Sequence, residues 1–138
     1  MQVKVKLDEG AYLPERAHET DAGADIRTSR GFVVPARGAA TIRTGVHVQL
    51  PSGTVGILKS KSGLNVNHDI VGEGVIDEGY DGEIVVKLHN LGQIPHRFDA
   101  GDKVIQLLVM PVEYCGFVEA DEIDGGDRGS DGFGSTGR

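Results

Sequence analysis

The chain has a single cysteine, Cys115, so no disulfide can form within it, and this usage fits a reducing compartment. No apolar run approaches the length needed to cross a bilayer. The opening residues, MQVKVKLDEG, lack the apolar stretch and cleavage site of a secretory leader, so the expected location is cytoplasmic. Basic residues are the minority: 14 lysines and arginines face 21 acidic residues, a net charge of −7. That balance disfavours non-specific contact with nucleic acid or an anionic membrane, and neither is expected as a partner. His18, His47, His68, His89 and His96 show no metal-ligand spacing among themselves or with Cys115, which argues against a structural zinc site.

What remains is a sequence of one domain's length, 138 residues, with 38 % hydrophobic and 25 % charged residues, as in soluble globular proteins. Its apolar residues recur with period two. Between Ala40 and Leu50 the even positions are mostly apolar; Val3, Val5 and Leu7 alternate in the same way, as do Ile84, Val86 and Leu88. Further β-rich runs cover Gly31–Val34, Thr54–Leu58 and Val104–Met110. Turn signals separate them at Pro35–Gly38, Pro51–Gly53, Asp81–Gly82 and Ala100–Asp102. A helical turn is expected only near Pro14–His18. The pattern predicts an all-β, jelly-roll-like fold. It also predicts two parts, a β-barrel domain over 1–124 and a flexible glycine-rich segment over 125–138.

That last segment has six glycines and one large apolar residue, Phe133. It cannot build a core, and as a solvated terminus it needs no function. Yet glycine lets backbone N–H groups approach phosphate oxygens, and Arg128, Ser135 and Thr136 add donors. It lacks the lysine of a phosphate-binding P-loop, and Asp127 and Asp131 miss the spacing of a calcium loop.

Four other segments carry polar groups in suggestive company. Lys59–Leu64 sets two lysines and two serines after a strand, either a basic turn or a phosphate contact. Gly74–Ile84 reads as a hairpin in which Asp77 is a turn former or a general base, and Tyr80 a sheet residue or a platform for a sugar. Thr20–Ile26 brings Asp25 next to glycine, as a cap would. Gln106 is a polar residue inside the apolar run that ends at Met110, and solvent exposure would explain it.

Taken in order, these segments resemble the five motifs of the trimeric dUTPases. Ala22-Gly23-Ala24-Asp25-Ile26 is similar to the first. Ser60-Lys61-Ser62-Gly63-Leu64 is similar to the second, with Lys61 and Ser60 replacing the usual arginine and proline. Gly74 to Gly82 resembles the third, Gly101 to Leu107 the fourth and Arg128 to Gly137 the fifth. The resemblance implies a homotrimer of jelly-roll subunits with three shared sites that hydrolyse dUTP to dUMP and pyrophosphate. This would keep uracil out of DNA and supply dUMP for thymidylate synthesis. It implies that Asp77 activates the attacking water, that backbone groups of Gly74, Val75 and Ile76 read uracil, and that Tyr80 supports the deoxyribose. Lys61, Ser62, Gly63 and Gln106 would contact the phosphates. Arg128, Phe133, Gly134, Ser135 and Thr136 would close over the nucleotide, with Phe133 on the base. Magnesium would be held mainly by the triphosphate, with Asp25 reaching it through water. Related dCTP deaminases share this fold; Asp77, Tyr80 and Phe133 together favour the dUTPases.

Overall fold

Strands dominate the computed structural model, which describes residues 1–134, 136 and 137. In chain order the elements are β1 (Lys4–Leu7), β2 (Gly23–Arg27), β3 (Phe32–Val34), β4 (Ala39–Gln49), β5 (Thr54–Lys59), α1 (Ser62–His68), β6 (Ile70–Val71), β7 (Glu73–Ile76), β8 (Glu83–Asn90), β9 (His96–Phe98) and β10 (Lys103–Pro111). They form two four-stranded sheets, ordered β1-β4-β8-β6 and β2-β10-β5-β7, and a two-stranded β3-β9 pair. Every strand pairing is antiparallel. The all-β expectation holds, and no described helix is long and apolar enough to cross a membrane.

One core draws from all three sheets. Ile42, Val46 and Val48 of β4 and Ile84, Val86 and Leu88 of β8 meet Ile26, Leu58, Ile76, Ile105 and Leu107 of the facing sheet, with Val34 and Phe98 closing one end. The period-two residues named from the sequence are the ones buried, because alternate side chains of a strand share a face. Each such side chain contributes about 1.5–3 kcal/mol on burial. β1 is the exception: Leu7 stays exposed, and only Val3 and Val5 pack partly on the core.

Two expectations need correction. Pro14–His18 is not helical; Glu15 instead forms an isolated antiparallel bridge with Asp25. The helix lies at Ser62–His68, has no buried residue, and ends on Asp69 in the left-handed region at φ 56°. Without an apolar stripe, it left no periodic signal to read.

Gly74–Ile84 is not a hairpin. β7 pairs only with β5, whereas β8 pairs with β4 and β6, so residues 77–82 carry the chain from one sheet to the other. Ile76 and Ile84 are both buried at the ends of this crossing, and its turn uses Gly79 at φ 87°.

Candidate active site

The residues expected to contact phosphate gather around β10. Gln106 lies opposite Asp25 of β2 on one side and Lys59 of β5 on the other. Its carboxamide does not face solvent freely: Nε2 donates to the Ser60 carbonyl at 2.9 Å. Ser60 Oγ in turn donates to the Gly72 carbonyl at 3.0 Å and accepts from the Gly72 N–H at 2.9 Å. These bonds fix the strand exit that leads into Lys61, Ser62 and Gly63. Leu64 packs partly on the core behind them.

Asp25 is buried in β2 and is not a cap. Lys61 Nζ bonds its Oδ1, and Lys103 Nζ lies 2.7 Å from its Oδ2. Burial pushes its carboxyl pKa upward, but the hydrogen bonds from Lys103 and Lys61 outweigh this and hold it below the usual range. Asp25 is therefore a fixed anion balanced by two cations. The sequence supplied the second lysine in the fourth motif but no sign that it meets Asp25; strands β2 and β10 are neighbours only after folding.

The residues expected to contact the nucleoside stand elsewhere. β7 is the edge strand of its sheet, so one side of its backbone is unpaired. Asp77 follows β7, exposed, at the rim of a cleft of about 570 Å³ that Glu78, Gly79, Val112 and Tyr114 also line. Tyr80 is partly exposed, yet its ring is fixed. Its N–H donates to the Asp77 carbonyl at 3.1 Å, its hydroxyl to the Glu83 carbonyl at 2.9 Å, and its ring edge lies against Gly82.

Glu78 was not singled out from the sequence, although it holds this crossing in place. Its carboxylate accepts from the Gly53 N–H at 2.9 Å and from the Tyr114 hydroxyl. Those bonds keep the Glu78 carboxyl low, the Tyr114 bond most of all, and the same bond raises the Tyr114 phenol. An acidic residue in a polar turn gives no sequence cue of such a role.

The two groups stand apart along the β5–β7 ladder. Lys59, beside Gln106, pairs with Glu73 at the start of β7, whereas Asp77 follows its far end. Four residues of strand separate them, roughly 13 Å. The tail joins neither group. Arg128 Nε donates to the Asp131 carbonyl at 2.8 Å, and Phe133 and Thr136 are exposed. Phe133 and Gly134 both have positive φ. Among the described residues, no hydrogen bond or ion pair links the tail to the barrel. Ser135 lies outside the described residues.

Fold and site thus define an antiparallel β subunit with an anion-balancing cluster at one end of an edge ladder and a free acid at the other. Residues 9–137 match the dUTPase family model, and the chain belongs to the dUTPase family. It is 41 % identical over its full length to the deoxyuridine 5'-triphosphate nucleotidohydrolase of Tropheryma whipplei, covering 97 % of that protein. A Staphylococcus bacteriophage 80alpha dUTPase mutant solved with dUpNHpp superposes with a TM-score of 0.88 at 30 % identity, over 99 % of both chains. A mutant dUTPase from phage phi11 of S. aureus, solved to show coordination of a structural Mg(II) ion, gives 0.81 at 29 % identity over 88 % of this chain and 98 % of that one.

Proposed function

We propose that this chain is a dUTP diphosphatase that works as a homotrimer with its sites shared between subunits. The observation that carries the shared site is the separation just described. Asp77 and the Asp25–Lys61–Gln106 cluster lie toward opposite ends of the β5–β7 ladder, an arrangement that suits a site to which neighbouring chains each supply one part. The segment after β10 supports the same reading. Phe117, Val118 and Ile123 are 97 %, 91 % and 92 % exposed on a stretch without secondary structure. Apolar side chains presented in this way suit the surface of a second copy.

The chemistry follows from the residue types. Asp77 accepts a proton from a water molecule as that water attacks the α-phosphorus; the α–β bridging oxygen leaves with pyrophosphate, and dUMP remains. Backbone groups along Gly74, Val75 and Ile76, on the edge strand, read the edge of uracil. Tyr80's ring supports deoxyribose and leaves no space for a 2′-hydroxyl. Lys61, Gln106 and the backbone at Ser62 and Gly63 hold phosphate oxygens. Arg128, Phe133, Gly134, Ser135 and Thr136 close over the nucleotide, with Phe133 stacking on the base. Positioning and charge neutralisation are what such a reaction chiefly requires.

The donor set fits magnesium carried by the triphosphate. Among the described residues no three His, Cys, Asp or Glu side chains gather as a metal site, and the triphosphate would be the main holder of the ion. Asp25 is held ionised, as a partner of a hydrated cation should be, and its remaining lone pairs would reach the ion through water. When bound, magnesium neutralises negative charge on the phosphate chain. Pyrophosphate release from each dNTP and from UTP, with and without magnesium, tests the assignment. It predicts release from dUTP far above all others, and equal rates on UTP and dUTP overturn it.

A further inference from the structure

The crossing that carries Asp77 and Tyr80 is held at both shoulders, and the two attachments differ in kind. At the Asp77 shoulder the Glu78 carboxylate takes the Gly53 N–H and the Tyr114 hydroxyl. At the Tyr80 shoulder the attachment is His47 of β4. Its Nδ1 lies 3.0 Å from the Asp81 carbonyl, and its Nε2 lies 3.2 Å from both oxygens of Asp8, just beyond β1. A bulge in β4, with Gly45 at φ 68°, sets this register and brings His47 opposite Glu83 on β8 and Lys6 on β1.

Hydrogen-bond chemistry then determines the state of the ring. A carbonyl oxygen can only accept, so Nδ1 must carry a proton. An ionised carboxylate can only accept, so Nε2 must carry one too. Both bonds exist together only in the imidazolium. A neutral ring keeps one and loses the other.

We propose that His47 is a positioning residue for the nucleoside-binding crossing, acting in its doubly protonated form as a staple between Asp8 and the Asp81 carbonyl. The inference rests on the reading of this crossing as the seat of the sugar. Asp81 directly follows Tyr80, whose ring leans on Gly82 and whose hydroxyl is tied to Glu83, so displacement of the Asp81 carbonyl moves the sugar platform.

The surrounding charges favour the cation. From β1 and its end come Lys4, Lys6 and Asp8; from the crossing comes Asp81; from β8 comes Glu83. Arg43 and the Gly45 N–H already engage the Glu83 carboxylate. The Asp81 carbonyl bond, then the Asp8 bond, raise the His47 pKa, with burial and Lys6 opposing. Since the folded value is raised, the staple is complete at low pH and is lost as pH rises through that value.

The test compares dUTP hydrolysis by wild type and His47→Gln across roughly pH 6 to 9, a range that brackets a histidine titration. Glutamine cannot become a double donor across this gap. Near pH 6 the variant's KM should exceed wild type by about three- to tenfold, the scale of one exposed charge-assisted bond. The ratio should fall towards unity at high pH, with kcat little changed. Phosphate titration of the substrate is common to both proteins and cancels in the ratio. Asp8→Asn should move the wild-type transition to lower pH, which keeps the test open if His47→Gln folds poorly.

NMR of the intact protein gives a readout independent of catalysis. His47 should show two ring N–H protons at low pH, and the Tyr80 and Gly82 amides should titrate with it. A single ring proton near pH 6, amides that ignore His47, or a KM ratio flat with pH overturns the staple. If dUTP is not hydrolysed at all, the functional reading fails instead, and the NMR result still decides the protonation state.

Discussion

Gly23 and Gln106 are matched in shape: a Cβ on residue 23 would lie 2.3 Å from Gln106 Oε1 and 3.0 Å from its Cδ. The bare backbone of β2 is what lets the carboxamide lie flat and reach Ser60. Gly23→Ala should therefore displace Gln106 and reproduce the loss of Gln106→Ala, raising KM for dUTP. The clashing atom is the mobile end of the Gln106 side chain, so the fold should tolerate the change with little loss of stability. Paired melting and steady-state measurements check this; an alanine variant with unchanged KM would mean Gln106 does not hold substrate.

Tyr80 and Gly82 make a second such pair, since a Cβ at residue 82 would meet the Tyr80 hydroxyl at 2.4 Å. Wild type should strongly prefer dUTP to UTP. Gly82→Ala should tilt the ring and relax that preference, as Tyr80→Ala should, both with reduced turnover. Competition between UTP and dUTP in one reaction gives the ratio directly.

The double pairing of Asp25 has a pH signature. Its depressed carboxyl contributes stability that is present above the unfolded carboxylate range and lost as pH falls through the folded value. Lys103→Met leaves a buried carboxylate with one partner and should cost about 1–3 kcal/mol near neutral pH. The gap between variant and wild type should close in acid, where Asp25 is neutral in both. Urea unfolding at fixed chain concentration and two pH values measures it.

Asp77 is exposed, and among the described residues its carboxylate makes no hydrogen bond or ion pair, so Asp77→Asn should fold and melt as wild type. Turnover should fall by about 10²- to 10⁴-fold, the usual contribution of a general base. Nucleotide binding, followed by calorimetry with dUpNHpp, should persist.

Shared sites predict rescue. Asp77→Ala and a chain lacking residues 125–138 should each be inactive. The truncated chain should still fold, because the described residues of its lost segment are exposed and hydrogen-bond only among themselves. Unfolded together and refolded, the two should recover about a quarter of wild-type activity if cyclic trimers form at random and one site in each mixed ring draws intact parts from both variants. Mixing the folded variants without exchange should recover none. Verified mixed trimers without activity would refute the shared site.

Local chemistry determined much of this protein in advance. Alternation from Ile42 to Leu50 and from Ile84 to Leu88 named buried faces, because a strand's period is set by its own backbone. The turn signals at Pro51–Gly53 and Ala100–Asp102 coincide with positive φ at Gly53 and Gly101, and the order of the five motifs identified the family. Tertiary structure decided the rest, and in each case through residues distant in sequence. α1 forms without an apolar stripe, and β7 and β8 fall in different sheets with Ile76 and Ile84 both buried in the shared core. Asp25 acquires Lys61 and Lys103, Gln106 acquires Ser60, and His47 acquires Asp8 and Asp81 only when strands far apart in the chain become neighbours. A side chain's protonation and aim depend on what lies within a few ångströms of it, and local pattern does not specify such long-range neighbours.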